Sequence, residues 1–407
     1  MLDLTKLARQ MQGISDHLTQ EADAARRRVE IARKLMVQAL GVQAELVDRL
    51  DEYRDRILFA AAEPIEPLNT QVALATAPEA HTVISSDGSQ ISPSHHEIAY
   101  CYLLNISRII IHYGQSRYPL LDSIPEVIYR PEDLYASRKW GIRTEEWMSY
   151  RRTAAEAIML GDLAAATLSQ PSRQSHKGKK TIDLSTIPTL ALTDGSLIYW
   201  FLEQIPAAAR DEILIPVLDS WDQLRQAGIP VMGYISASRS GEALNFLRLQ
   251  ACPYEAPDCR THCGDQRSQM PCQTFSPLRD VTLWSGALSP GERGPLWKSS
   301  ADILSCYGEH TVYFCYVNVG VEVARVEFPQ WVVEDSELLD SALSLVLAQV
   351  QKGFGYPVAL AEAHNQAVVK GGDRTRFFTL LEQQMIRAGL KNVGTSFKEA
   401  RKRGSIA

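Results

Sequence analysis

The chain has no long apolar run. Its apolar stretches, such as Ile109-Ile110-Ile111, are far shorter than the ~20 residues a bilayer-spanning helix needs, so no membrane partner is expected. It has no excess of positive charge either: 42 Lys and Arg stand against 48 Asp and Glu, a net charge of −6. A surface that grips nucleic acid usually carries a basic footprint, so the overall balance argues against a broad electrostatic hold on DNA but leaves local patches open. The N-terminus, Met1-Leu2-Asp3-Leu4-Thr5-Lys6, does not join a basic start to an apolar run. A secretory signal is therefore not expected, and the cytoplasm is the expected location. Cysteine is sparse, seven in 407 residues, and odd in number. In a reducing compartment such residues are thiols or metal ligands rather than disulfides.

A hydrophobic fraction of 45% is that of an ordinary globular protein, and 407 residues suffice for two average domains or one elaborated one. Residues 1 to about 62 read as a helical extension. Leu4, Leu7, Met11 and Ile14, then Val29, Leu35, Val42, Leu46 and Leu50 recur at helical spacing, which fits packing onto the parent domain or a dimer contact. Pro64 and Pro67 end that region. Strands are expected at 81–84, over 97–113 as one strand or a hairpin, and at 126–129, 189–192 and 229–235. Helices are expected at 144–168, 211–227 and 242–249. This alternation implies an α/β sheet flanked by helices. Paired strands at 307–319 and 321–328, a helix at 336–351, a short strand at 356–360 and a closing helix at 374–388 complete the pattern. Two polar, basic segments, 170–185 and the tail 391–407, read as solvated chain.

Against this background two strings repeat one design: Ile84-Ser85-Ser86-Asp87-Gly88-Ser89 and Leu192-Thr193-Asp194-Gly195-Ser196-Leu197. Each runs an apolar strand into Asp-Gly-Ser, which presents a carboxylate at the strand's end where a turn begins. Asp-Gly-Ser is also an ordinary turn; two copies after apolar runs point further, to paired acids able to hold a hard divalent cation through oxygen ligands. Phosphodiester hydrolysis requires charge neutralisation and an activated water, and divalent cations supply both. A third acid is available on the 144–168 helix, where Glu156 sits mid-helix. His364, after the predicted strand at 356–360, is a candidate acid, base or ligand. Arg239, after the strand at 229–235, is a candidate phosphate contact.

Taken in order, Asp87-Gly88-Ser89, Asp194-Gly195-Ser196-Leu197, Gly233-Tyr234-Ile235-Ser236 and Tyr356-Pro357 leading to Ala363-His364 resemble the NurA family of DNA-end-processing nucleases. The resembling segment spans about 81 to 370, within a domain placed at 80–390. The resemblance implies a ribonuclease-H-like mixed sheet flanked by helices. It implies a Mn²⁺- or Mg²⁺-dependent deoxyribonuclease working 5′-to-3′ on DNA ends in double-strand break repair. It further implies a homodimer partnered by a HerA-type hexameric ATPase. It maps the family's carboxylates to Asp87 and Asp194, its late histidine to His364, and its helical glutamate to Glu156, with Glu146 as the fallback.

One segment departs from that family pattern. Cys252, Cys259, Cys263 and Cys272 fall in an insert at 252–275, with Pro253 and Pro271 beside two of them. Four thiols in so short a run suit a metal-clipped loop holding zinc or an iron–sulfur cluster, although the gaps exceed those of zinc knuckles. Two other readings stand beside the nuclease: a non-catalytic DNA-end or partner-binding protein on the same fold, and a metal-dependent phosphoesterase for small substrates.

Overall fold

The apolar run His81–Ser85 forms a fully buried strand in a computed structural model of the chain. The structure describes residues 3–11, 13–92, 100–169, 187–264 and 270–389. The expected loop at 170–185 and the basic tail at 391–407 lie outside them. The chain divides into two bodies, each made of two segments: Met1–Ala75 with Tyr234–Gln330, and Thr76–Gly233 with Trp331–Ala407.

In the second body, the strand His81–Ser85 lies between two neighbours. On one side it runs parallel to Thr189–Asp194, with Thr82 opposite Thr189 and Ser85 opposite Leu192. On the other it runs antiparallel to the long strand Tyr102–Tyr113, with Ser85 opposite Ile109. The strand Gly88–Ile91 continues along that same long strand, with Gly88 opposite Ile106. The register therefore carries through Ser86 and Asp87 without a slip. The first Asp-Gly-Ser is thus not a turn at a strand's end, as its composition predicts, but the middle of an extended run. Leu120–Ile128 pairs antiparallel with the far edge of Tyr102–Tyr113.

Helices pack against these strands. Thr144–Ser169 buries Trp147, Met148, Ala154, Ala157, Leu160 and Leu163, as its apolar spacing predicts for Trp147, Ala154 and Leu163, whereas Ile158, expected on the same side, is exposed. Ala207–Gln226 packs against it, where Ser220 Oγ donates to the Ala157 carbonyl at 2.7 Å. Ser336–Lys352 starts at Asp335, whose carboxylate accepts the Leu338 N–H.

The segment after it corrects the expectation of a strand at 356–360. Val358–Ala367 is a helix. Pro357 takes the N-cap position with extended backbone. Gln349 Oε1 accepts the Ala359 N–H at 3.0 Å, satisfying a donor that the helix itself leaves unpaired. The run Ala359-Leu360-Ala361-Glu362-Ala363 is rich in strong helix formers. Its short apolar stretch is therefore the buried face of a helix.

The first body centres on the antiparallel pair Val312–Asn318 and Val323–Pro329. Leu46, Leu50, Phe246, Trp284, Trp297, Phe314 and Tyr316 share one buried cluster there. The N-terminal region forms helices Leu4–Gln10, Ile14–Leu40 and Gln43–Tyr53, as its periodicity predicts. Among the described residues, no helix is long and apolar enough to cross a membrane.

Candidate active site

Carrying the parallel register of His81–Ser85 and Thr189–Asp194 two residues onward places Asp87 level with Asp194. Adjacent strands lie about 4.8 Å apart, and residues level in a parallel pair project on the same face. The two carboxylates that the repeated motif singles out therefore converge from positions 107 residues apart, 194 less 87.

The backbone around Asp87 is fixed by Ser107, which stands opposite it. The Asp87 N–H donates to Ser107 Oγ at 2.9 Å, the Ser107 N–H donates to the Asp87 carbonyl at 2.8 Å, and Ser86 Oγ donates to the Ser107 carbonyl at 2.8 Å. Asp87 Oδ1 accepts the Gly88 N–H at 2.8 Å. Oδ2 is left to face His364, whose Nδ1 lies 3.1 Å away. The Asp87 side chain is 24% exposed and that of His364 67%.

His364 reaches this position because its helix is docked by its C-terminal end. Ser89 Oγ donates to the Ala367 carbonyl at 2.5 Å, and Asn105 Nδ2 donates to the same oxygen at 2.8 Å. Both satisfy a carbonyl that the end of a helix leaves free. The serine of the first Asp-Gly-Ser thus positions the histidine, a role that its sequence context does not announce.

Alternation along a strand points Gly88 away from the face shared by Asp87 and Ser89. Glu156 approaches there. A β-carbon on Gly88 would meet Glu156 Oε1 at 2.5 Å, Arg152 Cγ at 2.8 Å and Ile106 Cδ1 at 2.9 Å. The glycine is required by this close approach. Gly195, in the second motif, is required for a different reason, since its φ of 111° is one that other residues rarely adopt.

The electrostatics tie the acids together. Burial pushes the Glu156 carboxyl up to about 8; the Arg152 guanidinium, 3.2 Å away, opposes this, while the charges of Asp87 and Asp194 add to it. Asp194 is raised as well, first by the protein mass that crowds its carboxyl and then by the Asp87 charge, although the residue as a whole is exposed. A hydrogen bond from Tyr356 and the proximity of His364 act in the opposite direction. The Asp87 charge thus acts on both Glu156 and Asp194, and the Asp194 charge on Glu156, a site short of positive charge.

Asp87 and His364 are thus in contact, Asp194 stands level with Asp87, and Glu156 reaches the Gly88 backbone from the other side of the strand, near enough to feel both aspartate charges. Glu146 is not part of the group: it accepts the Tyr150 hydroxyl at 2.6 Å, near the start of the helix. Arg239 is exposed and belongs to the other body. Tyr356 and Arg152 were not singled out in the sequence as site residues. Arg152 lies one helical turn before Glu156, a spacing that signals an ion pair, and Tyr356 opens a motif whose proline draws more notice.

An all-oxygen set of carboxylates with one imidazole suits a hard cation such as Mn²⁺ or Mg²⁺. The mutual repulsion of the acids is what such a cation relieves. Among the described residues, no three His, Cys, Asp or Glu side chains already stand in the arrangement of ligands around one ion, so binding would require the carboxylates to turn toward a common point.

The NurA domain family model matches residues 81–369. No curated protein matches the chain. Among solved structures, the crystal structure of the NurA nuclease from Sulfolobus solfataricus matches with a TM-score of 0.51 at 13% identity, over 95% of this chain and 98% of that one. At that identity the likeness establishes a shared mixed α/β fold. The family model spans the segment that carries Asp87, Glu156, Asp194 and His364, and with it the greater part of the sequence: the chain belongs to the NurA family.

Proposed function

We propose that the chain is a metal-dependent deoxyribonuclease acting on DNA ends. The observation that carries this reading is the register that sets Asp87 level with Asp194 on adjacent parallel strands. Membership of the NurA family and the likeness to a NurA nuclease support it. Mn²⁺ or Mg²⁺ held by Asp87 and Asp194, with Glu156 completing the set, would supply charge neutralisation at the scissile phosphate and an activated water.

The chain's own residues have distinct parts. Asp87 and Asp194 orient the site and keep it anionic. Glu156, whose pKa burial raises and Arg152 opposes, would join the set as a carboxylate, its proton passing to solvent. Arg152 holds Glu156 in place through their ion pair. His364, two-thirds exposed with Nδ1 on Asp87, carries a proton to or from the reacting oxygens, and Asp87 fixes its ring for that transfer. Arg239 is proposed as a phosphate contact.

We extend the proposal to the finer features that the resemblance implies: a ribonuclease-H-like sheet, 5′-to-3′ polarity in double-strand break repair, a homodimer, a HerA-type hexameric ATPase partner and a cytoplasmic location.

Incubation of the purified chain with linear duplex DNA tests the proposal. Cleavage is expected with Mn²⁺ and none with EDTA. DNA binding without cleavage at any divalent ion would replace it with a non-catalytic end-binding role, and turnover of small phosphate esters alone would replace it with a phosphoesterase.

A further inference from the structure

Four of the seven cysteines meet in space. Cys252, Cys259, Cys263 and Cys272 line one small cavity together with Phe59 and Met270. Cys259, Cys263 and Cys272 are each less than a tenth exposed, and Cys252 is half-buried. The other three, Cys101, Cys306 and Cys315, do not line it.

The segment that carries these four has little structure of its own. Its described part holds one four-residue helix, Cys259–His262, and one short turn of helix, Pro271–Gln273. It is moored to its surroundings by polar contacts. The Arg49 guanidinium donates to the carbonyls of Glu255, Leu249 and Tyr254 at 3.0, 3.2 and 3.3 Å, and the Cys259 N–H donates to the Arg56 carbonyl at 3.1 Å. The largely buried Arg248 brings Nη2 to 4.0 Å from Cys272 Sγ.

We propose that Cys252, Cys259, Cys263 and Cys272 form a structural thiolate centre for one thiophilic metal group, zinc or an iron–sulfur cluster, which closes the 252–272 loop. Four metal–sulfur bonds form and the thiol protons leave to solvent. Cys252 and Cys263 are both raised, first by burial and then by Cys259 and Cys272, which sets the four thiols within electrostatic reach of one another. The four thiols do not yet stand as ligands of one ion, so side-chain rotation accompanies binding. The cysteines belong to a different body from the carboxylates, so this centre is independent of the proposed nuclease chemistry.

The test uses the full chain, purified without oxygen or chelator. Elemental analysis is expected to find about one zinc per chain, as a closed four-thiolate site takes, or iron with matching acid-labile sulfide and visible absorption that dithionite bleaches. The first result identifies zinc and the second a cluster. Cys259→Ser and Cys272→Ser should each lose the metal, whereas Cys101→Ser and Cys306→Ser should keep it. Should the loop variants not fold, mercurial titration of the unmodified chain decides, with metal released as these four thiols react. The proposal is overturned by disulfides among the four, by metal retained in every serine variant, or by a reduced chain that comes without metal and takes up neither added zinc nor a reconstituted cluster.

Discussion

Glu156 Oε1 stands 2.5 Å from the point a β-carbon on Gly88 would occupy. A helix residue and a strand residue 68 positions apart, 156 less 88, are fitted to each other by the absence of one methyl group. Gly88→Ala should therefore displace the Glu156 carboxyl and reduce DNA cleavage as far as Glu156→Gln does, on the order of a hundredfold, at a stability cost of about 1–3 kcal/mol from overpacking. Gly195→Ala meets no atom within 4 Å and acts only through its backbone angle, so it should cost about 1–3 kcal/mol. Denaturant titrations and cleavage rates of the three variants check this; an active Gly88→Ala protein would contradict it.

His364 is largely exposed, and its Nδ1 faces Asp87 Oδ2. His364→Gln should leave the melting temperature within about a degree, as surface substitutions usually do. Cleavage should fall by roughly 10²-fold or more if the ring transfers a proton in the reaction. An unchanged rate at every pH would remove His364 from the chemistry.

His112 sets an acid limit on the second body. Burial, with the charge of Arg117, lowers its pKa to about 4, and His81 on the neighbouring strand is lowered as well, first by burial. The unfolded chain, with histidine near 6.5, binds more protons than the folded one between those values. The contribution to stability is therefore full above about pH 6.5 and is lost as pH falls toward 4. The melting temperature of His112→Asn should fall less steeply than that of the parent between those limits; equal slopes would contradict the assignment.

Arg325 anchors the first body. It is buried, lies 2.7 Å from both Glu242 and Glu327, and covers the Phe314 ring at 3.6 Å. Arg325→Met leaves two buried carboxylates without their counter-charge and should cost about 3–5 kcal/mol in chemical denaturation. A loss below about 1 kcal/mol would mean that the pair behaves as a surface ion pair.

Much of the second body was legible in the sequence because its signals are local. The helix Thr144–Ser169 and the apolar runs leading to Asp87 and Asp194 each follow from residue spacing. The choice of Glu156 over Glu146 was not local, since it depends on which turn of the helix meets Gly88. The helical state of Val358–Ala367 was hidden because its apolar run is short enough for either structure, and the contact that decides is a cap from Gln349. The continuation of the strand through Asp87 was hidden for a related reason: Asp-Gly-Ser is turn-like in composition, and Ser107 on the facing strand holds it extended.

The most direct measurement is the Mn²⁺-binding isotherm of the purified chain beside those of Asp87→Asn and Asp194→Asn. Binding to the unmodified chain is predicted to weaken by at least about tenfold in each variant, because each removes one of the charges that draw the ion. Equal affinity in all three proteins would show that these two carboxylates do not share a cation.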